Sequence, residues 1–156
     1  MISRRTFLTQ AAGLAAAAAA ARSAWSAALA PAPTPITVYK SSSCECCAKW
    51  VDHLRANGFA PLVHDEEAMN GIKDEMGVPE KVRSCHTAMV EKYLIEGHVP
   101  APDIRRLLAE RPKVAGLAVP GMPPSTPGML MTGAAAEPYE VVAFTSAGAT
   151  TVYARH

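Results

Sequence analysis

The sequence predicts an α/β domain with a mixed β-sheet flanked by helices, a Pro/Gly-rich insertion and an extra C-terminal hairpin. Three observations carry this prediction. β-Branched segments alternate with segments of helical apolar spacing between residues 36 and 76. Two strand-like segments then follow one another between 87 and 99. A second strand pair, split by a Gly-containing turn, ends the chain.

In chain order, Ile36-Thr37-Val38-Tyr39-Lys40 alternates and reads as a strand. Ser41-Ser42-Ser43 is a turn that can cap a helix. Trp50, Val51 and Leu54 recur at helical spacing over Glu45 to Asn57, and Gly58 closes that helix. Pro61-Leu62-Val63-His64 is a second strand. Glu66 to Met76 reads as a second helix, ended by Gly77. Thr87–Glu91 and Tyr93–Val99 pair as strands. Pro102 and Asp103 open a third helix that runs to Arg111, with Leu107 and Leu108 facing inward. Residues 112–138 are rich in Pro and Gly and show little periodicity. The closing hairpin joins Tyr139–Thr145 to Thr150–Ala154. The order β-α-β-α-β-β-α is that of a thioredoxin-like domain, here extended by the insertion and the hairpin.

The first residues read as an address rather than as structure. Ser3-Arg4-Arg5-Thr6-Phe7-Leu8 matches a twin-arginine export signal. The apolar stretch from Ala11 to Ala21 is far shorter than the roughly twenty residues that span a bilayer. Cleavage is expected after Ala28, because Pro31 would follow the alternative site. Residues 1–28 are thus expected to be a signal peptide, 29–35 a Pro-rich linker and 36–156 the mature domain, with a periplasmic destination.

Net charge is +1 for the whole chain, and loss of Arg4, Arg5 and Arg22 takes it to −2. Such a domain has no electrostatic attraction for nucleic acid or anionic lipid. Aromatic residues make up only 6% of the chain, too few for a base-stacking platform.

The chemistry lies in four cysteines: Cys44, Cys46, Cys47 and Cys85. An even count in an exported chain ordinarily suggests disulfides. Three cysteines within four residues argue against two independent bridges, because adjacent cysteines such as Cys46 and Cys47 rarely bridge each other. Cys44 and Cys47 have the C-x-x-C spacing of a thiol oxidoreductase, between a first strand and a first helix. The helix N-terminus there favours thiolate. Cys46 is one sulfur more than dithiol chemistry uses. The Cys85-His86 pair precedes the third strand, in the loop expected to pack against the C-x-x-C turn, so four sulfurs and one imidazole can converge. Soft thiolates select Cu(I), zinc or iron–sulfur clusters. Zinc would leave Cys46 over and strain the adjacent Cys85-His86 pair around one ion. Several bridged Cu(I) ions use crowded sulfurs better. Three classes stay open here: a Cu(I)-binding protein, a thiol–disulfide oxidoreductase using Cys44 and Cys47, and a structural zinc domain that binds a partner.

Cys44-Glu45-Cys46-Cys47, Ser84-Cys85-His86-Thr87-Ala88, Glu96-Gly97-His98-Val99-Pro100 and Gly116-Leu117-Ala118-Val119-Pro120-Gly121-Met122-Pro123 together resemble the CopG-type copper-resistance proteins, long catalogued only as a domain of unknown function. The resemblance covers about residues 36–156. It implies a thioredoxin-like domain that holds a thiolate-bridged, multinuclear copper cluster on Cys44, Cys46, Cys47 and Cys85, with His86 as a further ligand. It also implies other periplasmic copper-handling proteins as partners. Glu45 stands where glycine is common in that family, and Thr126 where serine is expected.

Met122 and Met129 in the insertion, and Met131 less so, are thioether candidates near the metal, since a long irregular loop can serve as a lid. Trp50 is expected in the core. His98, at the end of the hairpin, is expected to be structural. His53 is expected on or near the polar face of the first helix, and His64 and His156 have no evident partner in the sequence.

Overall fold

The computed structural model describes residues 32–130 and 135–156. The expected signal peptide, residues 29–31 of the expected linker and Met131 lie outside the described residues. No described helix is long and apolar enough to cross a membrane.

The elements run β1 (Thr34–Lys40), α1 (Glu45–Ala56), β2 (Phe59–Asp65), α2 (Met69–Glu75), a 3-10 turn (Glu80–Val82), β3 (Thr87–Val90), β4 (Tyr93–Glu96), α3 (Ala101–Glu110), β5 (Gly116–Ala118), β6 (Glu140–Phe144) and β7 (Thr150–Arg155). The strands form one mixed seven-stranded sheet in the order β2-β1-β3-β4-β5-β6-β7. The β1–β2 and β4–β5 pairs are parallel and the others antiparallel.

Strand register separates the two faces, because side chains alternate along each strand. Val38, Ala88, Ile95, Leu117 and Ala143 lie side by side across five strands. They belong to the larger core, against Trp50, Val51 and Leu54 of α1 and Ile104 and Leu107 of α3. Each of these large helix side chains contributes roughly 1.5–3 kcal/mol through burial. The neighbouring row points the other way: Tyr39, Thr87, Glu96, Ala118 and Val142. On that face Val78 and Val82 pack with Ala118 and Phe144 in a smaller cluster.

Several boundaries differ from those the sequence predicts. β1 begins at Thr34, inside the segment read as linker. Thr34 N–H bonds Gly58 O on the β2 side, so the nitrogen of Pro35 faces the other way, where β3 pairs only Thr37–Tyr39. α2 is shorter than Glu66–Met76, because Glu66 N–H is held by Lys40 O and the chain there still extends the strand pair. β4 stops at Glu96 rather than Val99, where Gly97 turns the chain at φ +71. β5 was not expected at all. It lies in the Pro/Gly-rich stretch, and its three residues are buried.

Three further histidines have structural partners. His53 Nε2 accepts the Ala101 N–H at 3.1 Å, capping α3, which has no side-chain cap of its own. His64 stacks on Tyr39, and His156 bonds Asp103 at 2.7 Å while stacking on Tyr139.

Candidate metal centre

The site forms where the N-terminus of α1 meets the open end of the β3–β4 hairpin. Cys44 is the N-cap residue of α1, with extended backbone, and Cys46 and Cys47 lie in the first turn. Cys47 is fully buried, whereas Cys44, Cys46 and Cys85 are partly exposed. Cys44 and Cys47 are joined in a disulfide, so the C-x-x-C pair is in its two-electron oxidised state. Cys46 and Cys85 are free thiols. The Cys46 sulfur lies 3.5 Å from that of Cys44.

Cys85 Sγ sits 3.3 Å from His86 Nδ1 and 3.1 Å from His98 Nε2. The donor atoms of adjacent Cys85 and His86 thus stand close together, within one donor group. Burial, then the neighbouring Cys46 charge, pushes the Cys85 thiol up to about 11, against smaller opposing effects of Ser84 and Lys73. A metal ion must displace this proton to bind the sulfur.

His98, read as structural, is at the centre of the site. Its Nδ1–H donates to Pro127 O at 2.6 Å. The carbonyl can only accept, so the proton is fixed on Nδ1 and the Nε2 lone pair faces Cys85. The hairpin register explains the position. Thr87 pairs with Glu96, which places residues 86 and 97 opposite each other just beyond the ladder. The turn at Gly97 then delivers His98 beside His86, with ring centroids 5.0 Å apart. Counting the register outward from the hairpin turn is the sequence signal that could have found it.

His86 is completely buried, with its ring 4.2 Å from that of Trp50. Trp50 is fixed in turn by its indole N–H on Val99 O at 2.9 Å. Burial foremost, then His98 and Lys73, holds the His86 imidazole well below its ordinary value. Burial likewise lowers His98, opposed by its bond to Pro127. Both shifts favour the neutral imidazole, the form that metal ligation requires. His86 Nε2 is buried without a hydrogen-bond partner. The nitrogen of His86 at ligand distance from Cys85 is the other one, Nδ1.

Two groups of four donors result. One is Cys44, Cys46, Cys47 and Cys85; the other is Cys47, Cys85, His86 and His98. Within each group all ligand atoms lie within 4.8 Å of one another. Cys47 and Cys85 belong to both.

The insertion covers this cluster. Ser84 Oγ–H donates to Gly121 O at 2.5 Å, which places exposed Met122 next to the Cys85 loop. Gly128, at φ +89, packs so closely on α1 that a Cβ there would come within 2.7 Å of Cys46 O and 2.8 Å of Trp50 N. Met129 follows it and is partly buried. Thr126 is buried and closes the turn through Pro123 O at 2.8 Å.

On the other face of the sheet, a charged network holds the Cys85 loop. Lys73 Nζ lies 2.5 Å from Glu96 Oε1 and 2.8 Å from Thr87 Oγ1. The Glu96 carboxylate also accepts the Ser84 N–H at 2.5 Å and the Thr87 hydroxyl at 2.6 Å. Burial raises Glu96 above its ordinary value, opposed mainly by Lys73.

Comparison with known proteins agrees with this chemistry. A family model described as a protein of unknown function, DUF411, matches residues 82–129, which include Cys85, His86, His98 and the Pro127–Gly128 turn. No curated protein matches the sequence. Two solved structures, forms 1 and 2 of the copper resistance protein CopG, are similar at TM-score 0.74, with 44% and 43% identity. Each match covers 80% of this chain and 98% of the other. With that identity across nearly the whole length of the relatives, and with its four cysteines gathered at one site, the chain belongs to the CopG copper-resistance family.

Proposed function

We propose that this chain is an exported periplasmic protein of copper resistance, whose thioredoxin-like core holds Cu(I) in a thiolate-bridged, multinuclear cluster. The observation that carries the reading is the sharing of Cys47 and Cys85 between the two donor groups. A sulfur common to two donor sets is what a bridged cluster needs and a single tetrahedral ion does not. Cys44, Cys46, Cys47 and Cys85 are the thiolate ligands once the disulfide is reduced. His86 and His98 supply neutral nitrogens, and Met122 and Met129 are thioether candidates in the covering loop. Copper would add one-electron Cu(I)/Cu(II) chemistry beside the two-electron dithiol/disulfide couple. Other copper-handling proteins of the same compartment are the expected partners in transfer.

The test is metal stoichiometry. Mature protein, fully reduced and kept anaerobic, is expected to bind more than one Cu(I) per chain in competition with a chromophoric chelator. The loaded protein should be silent by electron paramagnetic resonance. A single tightly held zinc with negligible Cu(I) uptake would overturn the reading.

Export rests on the Arg4-Arg5 motif. Replacement of both arginines by lysine is expected to leave precursor in the cytoplasm, because the pair is read by a receptor. Mature protein still found in the periplasmic fraction would point to another route.

The Cys44–Cys47 disulfide favours a second reading, a periplasmic thiol–disulfide oxidoreductase. Partly exposed Cys44 would be the attacking thiol and buried Cys47 the resolving one.

A further inference from the structure

We propose that Cys46 is an internal exchange thiol, which moves the disulfide from Cys44–Cys47 to Cys44–Cys46 and releases Cys47 into the histidine-containing donor group. The inference builds on the ligand reading above, but its test uses no copper, so the two can fail separately.

Four observations converge on it. The free Cys46 sulfur is already 3.5 Å from the bridged Cys44 sulfur, close to van der Waals contact. Cys44 is the N-cap, with extended rather than helical backbone (φ −80, ψ 91), so a new bond there need not break the helix. Cys47 lies in the first turn of α1, where unpaired N–H groups and the helix dipole stabilise it as a leaving thiolate. The other free thiol, Cys85, faces the two imidazoles at 3.3 and 3.1 Å.

The step is redox-neutral. The Cys46 thiolate attacks Cys44 Sγ, the Cys44–Cys46 bond forms and the Cys44–Cys47 bond breaks. Cys47 leaves with the electron pair of the broken bond. The proton given up by Cys46 goes to Cys47, or to solvent if a metal ion takes the new thiolate. One disulfide exists before and after, and no external oxidant or reductant is consumed.

The consequence concerns the donor count. While Cys47 is bridged, Cys85, His86 and His98 lack the fourth member of their group. After migration all four are available, with one disulfide still closed. The oxidised protein then offers two thiolates and two imidazoles, a set suited to a divalent ion. This gives the third cysteine of the turn a role in the oxidised protein, beside its place in the four-sulfur group.

The experiment maps free thiols in the full mature chain, metal-free and carrying one disulfide. Samples are quenched in acid, which stops exchange by protonating thiolates. Free cysteines are alkylated, the disulfide is then reduced and labelled with a second reagent, and fragmentation localises each label. Wild type is expected to carry the first label on Cys85 throughout, and on a mixture of Cys46 and Cys47. Zinc at about ten times its dissociation constant should raise the Cys47-to-Cys46 labelling ratio about tenfold, because it binds only the isomer with Cys47 free. The Cys47→Ser variant, shown to be folded by circular dichroism, should form a Cys44–Cys46 bond in the glutathione buffer that bridges wild type. First label on Cys46 and Cys85 but never on Cys47, with and without zinc, would overturn the proposal. So would a Cys47→Ser protein that leaves Cys44 and Cys46 free, or that joins Cys46 to Cys85 instead.

Discussion

Cys46→Ser and Cys85→Ser are each expected to abolish most Cu(I) loading and copper resistance, although neither residue takes part in the Cys44–Cys47 disulfide. Cys46 belongs to the four-sulfur group, and Cys85 belongs to both donor groups. Each bridging sulfur touches more than one ion, so its loss leaves several ions undercoordinated at once. Serine preserves the size but offers a hard, protonated oxygen that Cu(I) binds poorly. The drop in apparent Cu(I) affinity should exceed the 10–100-fold that losing an outer partner of a metal ligand typically costs, and so should be more than about a hundredfold. His86→Ala should be milder, because His98 keeps an imidazole on the same sulfur at 3.1 Å. Chelator competition measures the loading, and growth on copper gives the cellular readout. An oxidoreductase predicts the opposite pattern, with dependence on Cys44 and Cys47 and tolerance at Cys46 and Cys85. If both serine variants keep full loading and resistance while Cys44→Ser abolishes resistance, the cluster reading fails and the oxidoreductase reading replaces it.

The largest effect on stability is expected at Lys73, distant from the cysteines in sequence. Its ammonium and the Glu96 carboxylate are both buried, at 2% and 0% exposure. The intact pair is a weak source of net stability, since both ions lose their hydration. Removing one partner differs in kind, because an uncompensated charge then stays in the interior. Lys73→Met should therefore cost about 3–5 kcal/mol in denaturant unfolding. Glu96→Gln should also be costly, because it strands the ammonium. The double variant Lys73→Met/Glu96→Gln should recover part of the loss, since the amide keeps an oxygen for the Ser84 N–H and no unpaired charge remains. If Lys73→Met unfolds at the same denaturant concentration as wild type, the pair is not the constraint described here. Glu96 holds the Ser84 N–H and Ser84 precedes Cys85, so loss of Glu96 should also disorder the Cys85-His86 loop. Trp50, whose ring lies 4.2 Å from that of His86, gives a fluorescence signal of that change.

Much of the architecture was legible before the structure. The first strand, the helix after the cysteine turn and the closing hairpin follow from periodicity and turn chemistry, which are local. The convergence of Cys85 on the C-x-C-C turn followed from element order, because β1 and β3 pair directly and bring the loops at their ends together. β5 was missed because three buried residues, Gly-Leu-Ala, are too few to show a period, and what holds them as a strand is pairing with β4 and β6. The helix read over Glu66–Met76 lost its first turn to a backbone bond from Lys40, a competitor that no propensity scale contains.

By itself the sequence determined the soft-donor chemistry of this protein: four cysteines, three of them in one turn at a helix N-terminus, and a Cys-His pair before a strand. Residue type alone fixes which ions such donors prefer. Only the tertiary structure decided which histidine joins them and in which tautomer. His98 reaches Cys85 through a hairpin register and a glycine turn, and its proton is fixed by the carbonyl of Pro127, 29 residues further along the chain. The buried Lys73–Glu96 pair beneath the site was likewise hidden, because nothing in the sequence marks either residue as buried. Burial is a property of packing, and packing is what converts distant, ordinary residues into ligands, locks and neighbours.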